Sequence, residues 1–441
     1  MLIGVEAKVF ISYCFFIYFV KLKSEFMDNS RAHVENLLAF SLGIIEGKNG
    51  SELYKKYYND ITNVNAKDVI EVIDRLVRKN IETEELKKGL NKIFNVFYKS
   101  LINAEKKLPA EKTFLYWLVK ENDELDRRLK QIRPFIKQVN RKDLPAREFD
   151  LAVEQLKKRI KDLKNFESHY VKKENILFPC LETYWDNYRC IQVMWSYHDD
   201  IREVIKQTLS ALDSEDLNLK NINHLLGDLF FTMYAIRFRE ENVLFPVALE
   251  TVDEKLWEEM VDQSYNIGFS FIETPVKEKK RLGSKRKHKF TEDMNGVLDN
   301  IDLQGVKLDL DTGQVDLEQI ITIFNTLPVD LTFVDKNNKV RFFSAPADRI
   351  FPRSKAIIGR DVENCHPPES VHVVKKIIKD FKAGEKEKAS FRIETGGKFI
   401  LIQYFALFDS KRQYLGVLEV SQDVTEIRNL KGEKRLLDWG K

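Results

Sequence analysis

The amino-acid sequence predicts a multidomain protein with an all-α N-terminal domain, a four-helix bundle and a C-terminal α+β domain that contains a five-stranded antiparallel sheet. Over roughly the first 270 residues, apolar side chains recur at spacings of three and four, the pattern of amphipathic helices that bury one face. From about residue 315 the spacing changes to the alternation that is typical of strands. A chain of 441 residues is long enough for about two to four domains.

The charge balance and the cysteine pattern argue against several classes of protein. The 72 basic and 69 acidic residues give a formal net charge of +3, so no global attraction to nucleic acid is expected. The four cysteines, Cys14, Cys180, Cys190 and Cys365, show no C-x-x-C spacing, which indicates neither a zinc knuckle nor a disulfide scaffold. We therefore predict a cytoplasmic protein. The sequence has no Walker loop or nucleophile elbow, and we predict that it is not an enzyme.

The N-terminal part divides into an apolar extension and a helical segment. Residues 9–20 form an apolar run of 12 residues, short of the roughly 20 needed to span a bilayer. Two interpretations of residues 1–26 follow: a weak membrane anchor, or an extension ahead of a translation start at Met27. Residues 28–104 contain amphipathic segments with evenly mixed charge and predict a small helical domain, which we interpret as an interaction or output module.

A repeated motif organises the next segment. The stretch from His169 to Pro179 reads H-Y-V-K-K-E-N-I-L-F-P, and most of it returns 67 residues later as E-E-N-V-L-F-P from Glu240 to Pro246. Each copy follows a long amphipathic segment. Because proline lacks the N–H group that regular helix requires, we predict that helical order stops at each Leu-Phe-Pro.

Four amphipathic helices in this segment carry ionisable residues on or beside their apolar faces. The candidates are Glu121, His169, Glu174, His198 and Glu240, with Glu241 as the alternate to Glu240. An unpaired carboxylate in an apolar core costs several kcal/mol, so a cation must compensate it. That cation is either a bound metal, for which iron suits imidazole and carboxylate ligands, or a metal-free network in which Lys173 and Arg202 pair with the carboxylates.

Residues 108–272 resemble the hemerythrin-like (HHE cation-binding) family. The resemblance is carried by the H-x-x-x-[EK]-E-x-x-L-F-P motif that begins at His169, by Met194-Trp195-x-x-His198-Asp-x-Ile-Arg202, and by the second E-E-x-x-L-F-P. It implies a four-helix bundle with a non-haem di-iron centre. For this sequence we predict one or two iron ions, with the six residues named above as candidate ligands. A helical domain like residues 28–104 precedes such modules in some bacterial and archaeal proteins.

The sequence departs from this family at three positions. Thr113 and Ile236 stand where histidines are usually found, and Lys173 stands where a glutamate usually follows His169 by four residues. Glu174 is one residue further on, about 140° away around a regular helix. His169 and Glu174 would therefore share a metal only across a local bulge such as a π-turn.

Residues 274–312 read as a linker. The run from 277 to 289 holds eight Lys or Arg and one Glu. We predict a solvated tether, with nonspecific contact to nucleic acid or lipid as the alternative.

Residues 315–426 predict two strands, helices and then three strands, with a Gly396-Gly397 turn between the third and fourth strands. The opening Leu327-Pro-Val-Asp-Leu-Thr-Phe-Val-Asp335 and the closing Gly416-Val-Leu-Glu-Val-Ser-Gln-Asp-Val-Thr-Glu426 resemble PAS domains. That resemblance implies a site for haem, flavin or a small metabolite between sheet and helices.

Two histidines in this domain are candidate cofactor ligands. His366 or His372, in the stretch Asn364-Cys-His-Pro-Pro-Glu-Ser-Val-His372, would be an axial haem ligand. A tight helix start at the two prolines explains the same residues without a cofactor.

The two resemblances together predict a sensory or regulatory protein. The bundle would detect oxygen, nitric oxide or iron status, while the PAS domain would bind a second ligand or mediate a homodimer together with a terminal helix at 427–441. The output would pass to an unknown protein partner. Two alternatives stay open: an iron-dependent protein that repairs iron–sulfur clusters or handles iron, and a metal-free interaction scaffold.

Overall fold

The computed structural model describes residues 31–276, 307–310, 312–395 and 397–433. It separates into two compact units, Met1–Ile272 and Glu273–Lys441. The apolar run at 9–20 and the basic run at 277–289 lie outside the described residues. Within the described part, no helix combines the length and the apolar character that a membrane span requires.

In its described residues, 31–272, the first unit consists of helices and the loops that join them. Its N-terminal helices are α1 (31–45), α2 (Gly50–Lys56), α3 (Tyr58–Thr62), α4 (Ala66–Val77) and α5 (Thr83–Asn103). Local sequence sets where these helices begin: Asn65 and Asp68 form a capping box at the start of α4, which satisfies backbone N–H groups that have no partner within the helix.

The remaining helices of this unit form the predicted four-helix bundle with short additions. They are α6 (Phe114–Val139), α7 (Ala146–Asp162), α8 (Glu167–Lys172), α9 (Phe178–Tyr184), α10 (Cys190–Leu212), α11 (Leu219–Arg239), α12 (Phe245–Thr251) and α13 (Glu254–Ser264). A 3₁₀ turn, Leu163–Phe166, joins α7 to α8. The apolar stripes predicted from sequence are buried, as Leu118, Leu129, Ile160 and Leu229 illustrate.

Both copies of the repeat contain a π-helical segment, Lys173–Leu177 in the first and Glu240–Leu244 in the second. The prediction that helical order stops at the following proline is wrong, because α9 and α12 continue past it. Pro179 is the second residue of α9, within the first turn, where a missing N–H group leaves no helical hydrogen bond unmade. Each motif is therefore a π-bulge followed by a new short helix.

The N-terminal helices and the bundle share one continuous apolar core, which includes Leu37, Phe97, Leu118 and Phe178. Polar contacts also cross between them. Nζ of Lys87 on α5 lies 2.8 Å from Oδ1 of Asp200 on α10. The helical segment at 28–104 is thus packed directly on the bundle.

The second unit contains a sheet hairpin, helices and the predicted five-stranded antiparallel sheet. Its elements are β1 (Lys307–Asp309), β2 (Gln314–Asp316), α14 (Leu317–Thr326), β3 (Asp330–Asp335), β4 (Val340–Phe343), α15 (Pro368–Lys382), β5 (Lys388–Thr395), β6 (Lys398–Phe408) and β7 (Tyr414–Asp423). The strand order in the main sheet is β4-β3-β7-β6-β5. The predicted fold class is confirmed.

Two glycines determine the local geometry of this sheet. Thr395 pairs with Lys398 across a two-residue turn, in which Gly397 has a φ of +78°, a conformation that glycine adopts without strain. In the centre, Gly416 has a φ of +150°, and a Cβ atom there would lie 2.0 Å from the carbonyl oxygen of Val334. Only glycine allows β7 to approach β3 so closely.

The end of β7 is held to β6 by the side chains of Asp423 and Thr425. Oδ1 of Asp423 accepts hydrogen bonds from the backbone N–H and the hydroxyl of Thr425, and that hydroxyl accepts one from the N–H of Phe399 at 2.7 Å. A single 3₁₀ turn, Ile427–Asn429, follows, and residues 434–441 of the predicted terminal helix lie outside the described residues.

Candidate functional site

The bundle brings five of the six candidate residues to one buried centre. They are Glu121 from α6, His169 from α8, Glu174 and Glu240 from the two π-helical segments, and His198 from α10. Four of them have no exposed surface, and Glu174 is 4% exposed. Every charge at this centre must be balanced from within the protein, because water does not reach it.

His169 connects two of the carboxylates. Its Nδ1 lies 2.8 Å from Oε2 of Glu121, and its Nε2 lies 3.2 Å from Oε2 of Glu240. The ring is held by stacking on Phe166, with 4.4 Å between the ring centroids. Both ring nitrogens of His169 are therefore engaged with carboxylates.

His198 is oriented by one carboxylate and one ammonium group. Its Nδ1 donates to Oε1 of Glu174 at 2.7 Å, and its Nε2 accepts from Nζ of Lys173 at 2.9 Å. Burial, together with the positive charges of Lys173 and Arg202, lowers the pKa of His198 well below its usual value. A neutral imidazole with its proton on Nδ1 accounts for both contacts.

Two lysines lie at this centre and carry the compensating charge. Lys173 has no exposed surface and donates to Oε1 of Glu240, while Lys172, 1% exposed, donates to Oε1 of Glu121. Burial lowers the pKa of both lysines, an effect opposed by the attraction of their carboxylate partners. Burial alone would raise the pKa of Glu240, but Lys173 and His169 together hold it below its usual value.

The third carboxylate has a cation of its own. Nη2 of Arg202 lies 3.0 and 3.1 Å from the two oxygens of Glu174. Arg202 also contacts Glu167 and Asp199 toward the surface. Burial lowers the pKa of Arg202, but the carboxylates of Glu174, Glu167 and Asp199 raise it by more, so the pKa lies above its usual value. Each of the three buried glutamates thus has a basic partner.

Further contacts come from residues outside the six sequence-predicted candidates. Glu121 accepts from the backbone N–H of Ser270 at 2.8 Å, and Glu240 accepts from Nδ2 of Asn122 at 2.9 Å. Tyr170 stacks on His198, with 4.5 Å between centroids, and its hydroxyl has no partner among the described residues. Lys172 could have been found from its place three residues after His169; Ser270 lies in a loop and gives no such signal.

Glu241 lies outside this centre. Its carboxylate pairs with Nε of Arg237 at 2.8 Å and is 27% exposed, and burial raises its pKa. The structure therefore favours Glu240 over Glu241 as the residue of the second motif that faces the bundle interior.

The donor set, as arranged, does not fit an iron ion. Nε2 of His198, the nitrogen opposite its carboxylate partner, would be the metal-binding atom, and it accepts from Lys173 instead. Both nitrogens of His169 and both oxygens of Glu240 are likewise engaged. Among the described residues, no group of three or more His, Cys, Asp or Glu side chains is placed to hold a metal.

The second unit contains a cavity of about 230 Å³ between its sheet and α15. Most of its walls are apolar. The lining residues are Val334, Val362, His366, Ser370, Val373, Val374, Ile377, Ile378, Phe391, Tyr404, Val417 and Glu419. A concave, largely apolar pocket with a few polar groups is the usual form of a small-molecule site.

The two candidate haem ligands lie in different surroundings. His366 lines the cavity, and its Nδ1 donates to the carbonyl oxygen of Val362 at 2.8 Å, which leaves Nε2 as an acceptor. Burial lowers its pKa. His372 lies on the exposed side of α15 and does not line the cavity. Pro367 and Pro368 form the predicted tight helix start.

The cavity favours a molecule smaller than haem. A haem is at least as large as a drug-sized ligand, and pockets for such ligands measure about 300–1,000 Å³. The observed 230 Å³ suits a smaller molecule, and only one of the two histidines faces it.

Comparison with known proteins identifies two families along the chain. The family model described as "Hemerythrin HHE cation binding domain" matches residues 113–248, and the model described as "PAS domain" matches residues 320–425. The comparison with curated proteins found no match.

Solved structures resemble part of the chain. One is the C-terminal domain of a protein from Streptococcus mutans, 30% identical, covering 28% of this chain and 97% of that one, with a TM-score of 0.27. Another is the PAS domain of a protein from Colwellia psychrerythraea, 18% identical, covering 25% and 98%, with a TM-score of 0.21. A third is the PAS domain of Bordetella pertussis BvgS, 17% identical, covering 26% and 89%, with a TM-score of 0.22.

The predicted family assignments are thus confirmed by matches over the same two segments. Along the chain, a helical N-terminal region is followed by a hemerythrin HHE domain at residues 113–248 and a PAS domain at residues 320–425.

Proposed function

We propose that this sensory protein detects a small organic molecule in the cavity of its PAS domain. The cavity of about 230 Å³ between sheet and α15 is the observation that carries the proposal. An apolar cavity of about 150 Å³ holds benzene in an engineered protein, so the larger volume here suits a ligand of one or two rings. Binding would change how α15 packs on the sheet, which is a route by which a signal leaves the domain.

The polar groups of the cavity define which ligand it prefers. Nε2 of His366 is an acceptor, and the carboxylate of Glu419 is a second one. Tyr404 lines the same space, and burial raises its pKa, which keeps its hydroxyl protonated. A ligand with an N–H or O–H donor on an otherwise apolar body would satisfy these acceptors, whereas an anionic ligand would face a carboxylate.

Calorimetric titration of the full chain with indole, and with naphthalene as the probe without a donor, tests this proposal. Indole is expected to bind, and naphthalene to bind at least about tenfold more weakly, since an unmet buried acceptor costs roughly 1–3 kcal/mol. The substitution Val374→Phe fills the cavity and is expected to abolish binding of indole. Lys376→Phe, on the exposed side of the same helix, serves as the control.

The same comparison shows what would contradict the proposal. Equal binding of indole by the wild type and by Val374→Phe would place the ligand elsewhere. Failure of both probes to bind, with the PAS domain folded, would remove the cavity as a ligand site.

Sensing of oxygen, nitric oxide or iron at the bundle stays a prediction from the sequence, as does repair of iron–sulfur clusters. The pairing of Lys173 with His198 and Glu240 favours instead the metal-free alternative for this domain. We infer that α1–α5, which pack directly on the bundle, connect it to a protein partner.

Homodimerisation through the PAS domain and a cytoplasmic location complete the proposal. The apolar side chains Ile321, Ile323 and Phe324 of α14 are 37–49% exposed, which is typical of a surface that another chain covers. The three described cysteines are free thiols, as in proteins of a reducing compartment. Light scattering of the wild type and of Phe324→Glu tests the dimer, which the charged side chain is expected to dissociate.

A further inference from the structure

The two copies of the repeat place opposite charges at equivalent positions. With the offset of 67 residues, Lys173 corresponds to Glu240, and each is the first residue of its π-helical segment. These two equivalent positions meet in the bundle centre, where the ammonium of Lys173 donates to the carboxylate of Glu240. One copy thus supplies the cation that the other copy requires.

We propose that the ammonium group of Lys173 takes the place of a metal ion in this hemerythrin domain, so that the bundle folds and functions without metal. The arrangement of His198 supports this inference. A metal-binding histidine typically donates its other ring N–H to a carboxylate, and His198 does so to Glu174 while its Nε2 faces Lys173 at 2.9 Å.

The balance of charges at the centre supports the same inference. Apart from the imidazoles, three carboxylates, Glu121, Glu174 and Glu240, face three basic groups, Lys172, Lys173 and Arg202. A divalent ion at this centre would lie close to the ammonium groups of Lys172 and Lys173 with no water to screen the repulsion, at a cost of several kcal/mol. The lysines therefore exclude a metal electrostatically as well as by occupying its ligands.

A single substitution is then expected to open a metal site. Lys173→Glu makes the first motif match the second at this position, replaces a positive charge with a negative one and removes the donor from both Nε2 of His198 and Oε1 of Glu240. Carboxylates and imidazoles from facing helices are the ligands of iron in bundles of this kind. The inference does not depend on the ligand of the PAS domain.

The test measures bound iron in the full chain after anaerobic incubation with ferrous iron and desalting. The wild type is expected to retain only background iron, and Lys173→Glu near-stoichiometric iron. Adding His198→Ala to Lys173→Glu is expected to return the iron to background. Lys164→Glu, the same change of charge at an exposed position near the start of α8, controls for surface binding and is expected to behave as the wild type.

Unfolding of the wild type gives a second, independent measurement. A metal that binds the native state raises the unfolding midpoint, and a chelator lowers it. We expect the midpoint of the wild type to be the same after dialysis against EDTA and after addition of ferrous iron.

Two results would overturn the proposal. The first is stoichiometric iron in the wild type that is lost in His198→Ala. The second is a folded Lys173→Glu, judged by circular dichroism, that binds no more iron than Lys164→Glu. If Lys173→Glu does not fold, the iron content and unfolding midpoint of the wild type decide the question alone.

Discussion

Lys173 and His198 form a direct contact in the bundle centre, with 2.9 Å between Nζ and Nε2. The ammonium approaches the ring nitrogen opposite the one that donates to Glu174. Because an ammonium group only donates, this contact fixes the tautomer of His198 with its proton on Nδ1. The imidazole is therefore held at both ends by charged partners from the same π-helical segment.

Removal of the lysine charge is expected to destabilise the first unit strongly. Lys173→Met leaves Oε1 of Glu240 and Nε2 of His198 without a donor, and breaking a buried ion pair in this way costs about 3–5 kcal/mol. Unfolding in urea, followed by the fluorescence of the tryptophans in this unit, measures the loss in free energy of unfolding. A loss below about 1 kcal/mol would mean that the pair contributes no more than an exposed one.

Two further variants separate this ion pair from a general effect of charge. Lys130→Met removes the exposed pair with Asp126, in which Lys130 is 63% exposed, and is expected to cost at most about 1 kcal/mol. In a background of Glu240→Gln, the cost of Lys173→Met is expected to fall by at least about 1 kcal/mol, since the partner charge is gone.

Arg239 is a buried cation whose replacement is expected to stabilise the protein. Its Nη2 bonds to Oδ1 of Asn91, but Nε and Nη1 have no partner among the described residues. The guanidinium lies over the rings of Phe94 and Tyr197, and burial lowers its pKa. Arg239→Met keeps the volume and removes the desolvated charge, and it should raise the free energy of unfolding by about 1–4 kcal/mol.

The same urea experiment checks this prediction, with Arg239→Lys as the matched variant. The lysine keeps the charge and loses the planar contact with the two rings, so it should be less stable than the wild type. A destabilised Arg239→Met would indicate that the ring contacts outweigh the burial of charge.

Gly416 is expected to tolerate no side chain. Its positive φ and the 2.0 Å distance from a Cβ atom to the carbonyl oxygen of Val334 mean that Gly416→Ala must separate β3 from β7, at a cost above about 3 kcal/mol. Hydrogen exchange of peptides from these two strands measures the effect, and exchange should become faster throughout both. Gly313→Ala, where a Cβ atom meets nothing within 4 Å, should leave exchange unchanged.

The buried cysteines are expected to be unreactive in the native protein. Burial raises the pKa of Cys180 to about 12 and also raises that of Cys190. At pH 8 only about one Cys180 thiol in ten thousand is then ionised, and the thiolate is the reactive form. In a Cys14→Ser variant, an aromatic disulfide reagent should label Cys365 alone, and all three thiols after unfolding in guanidinium. Rapid labelling of Cys180 at pH 8 would contradict the packing of α9.

Much of the fold and of the bundle centre follows from sequence periodicity. The stripes of α6, α7, α10 and α11 predicted which faces are buried, and they brought Glu121, His169, His198 and Glu240 together, because residues three or four apart share one face of a helix. The same rule placed Glu174 away from His169 and named a π-turn as the condition for bringing it inward. The structure contains that π-helical segment, Lys173–Leu177.

Other features depend on partners that lie far apart in the sequence. The choice between a metal and a lysine as counter-ion could not be made from periodicity, because Lys173 and Glu240 meet only in the folded bundle. Ser270 reaches Glu121 from a loop. The surroundings of His366 and His372 differ because α15 begins between them and His372 lies on its exposed side. Local sequence does not specify which side of the start of a helix faces a cavity.

Helices α1–α5 and the bundle share one apolar core, which includes Leu37, Phe97 and Leu118. The two segments therefore form a single folded unit. Removing either segment would expose the apolar core that the two share. A protease that cuts near residue 105 should therefore leave the two fragments associated. A rearrangement of the bundle helices would therefore change their packing against α1–α5.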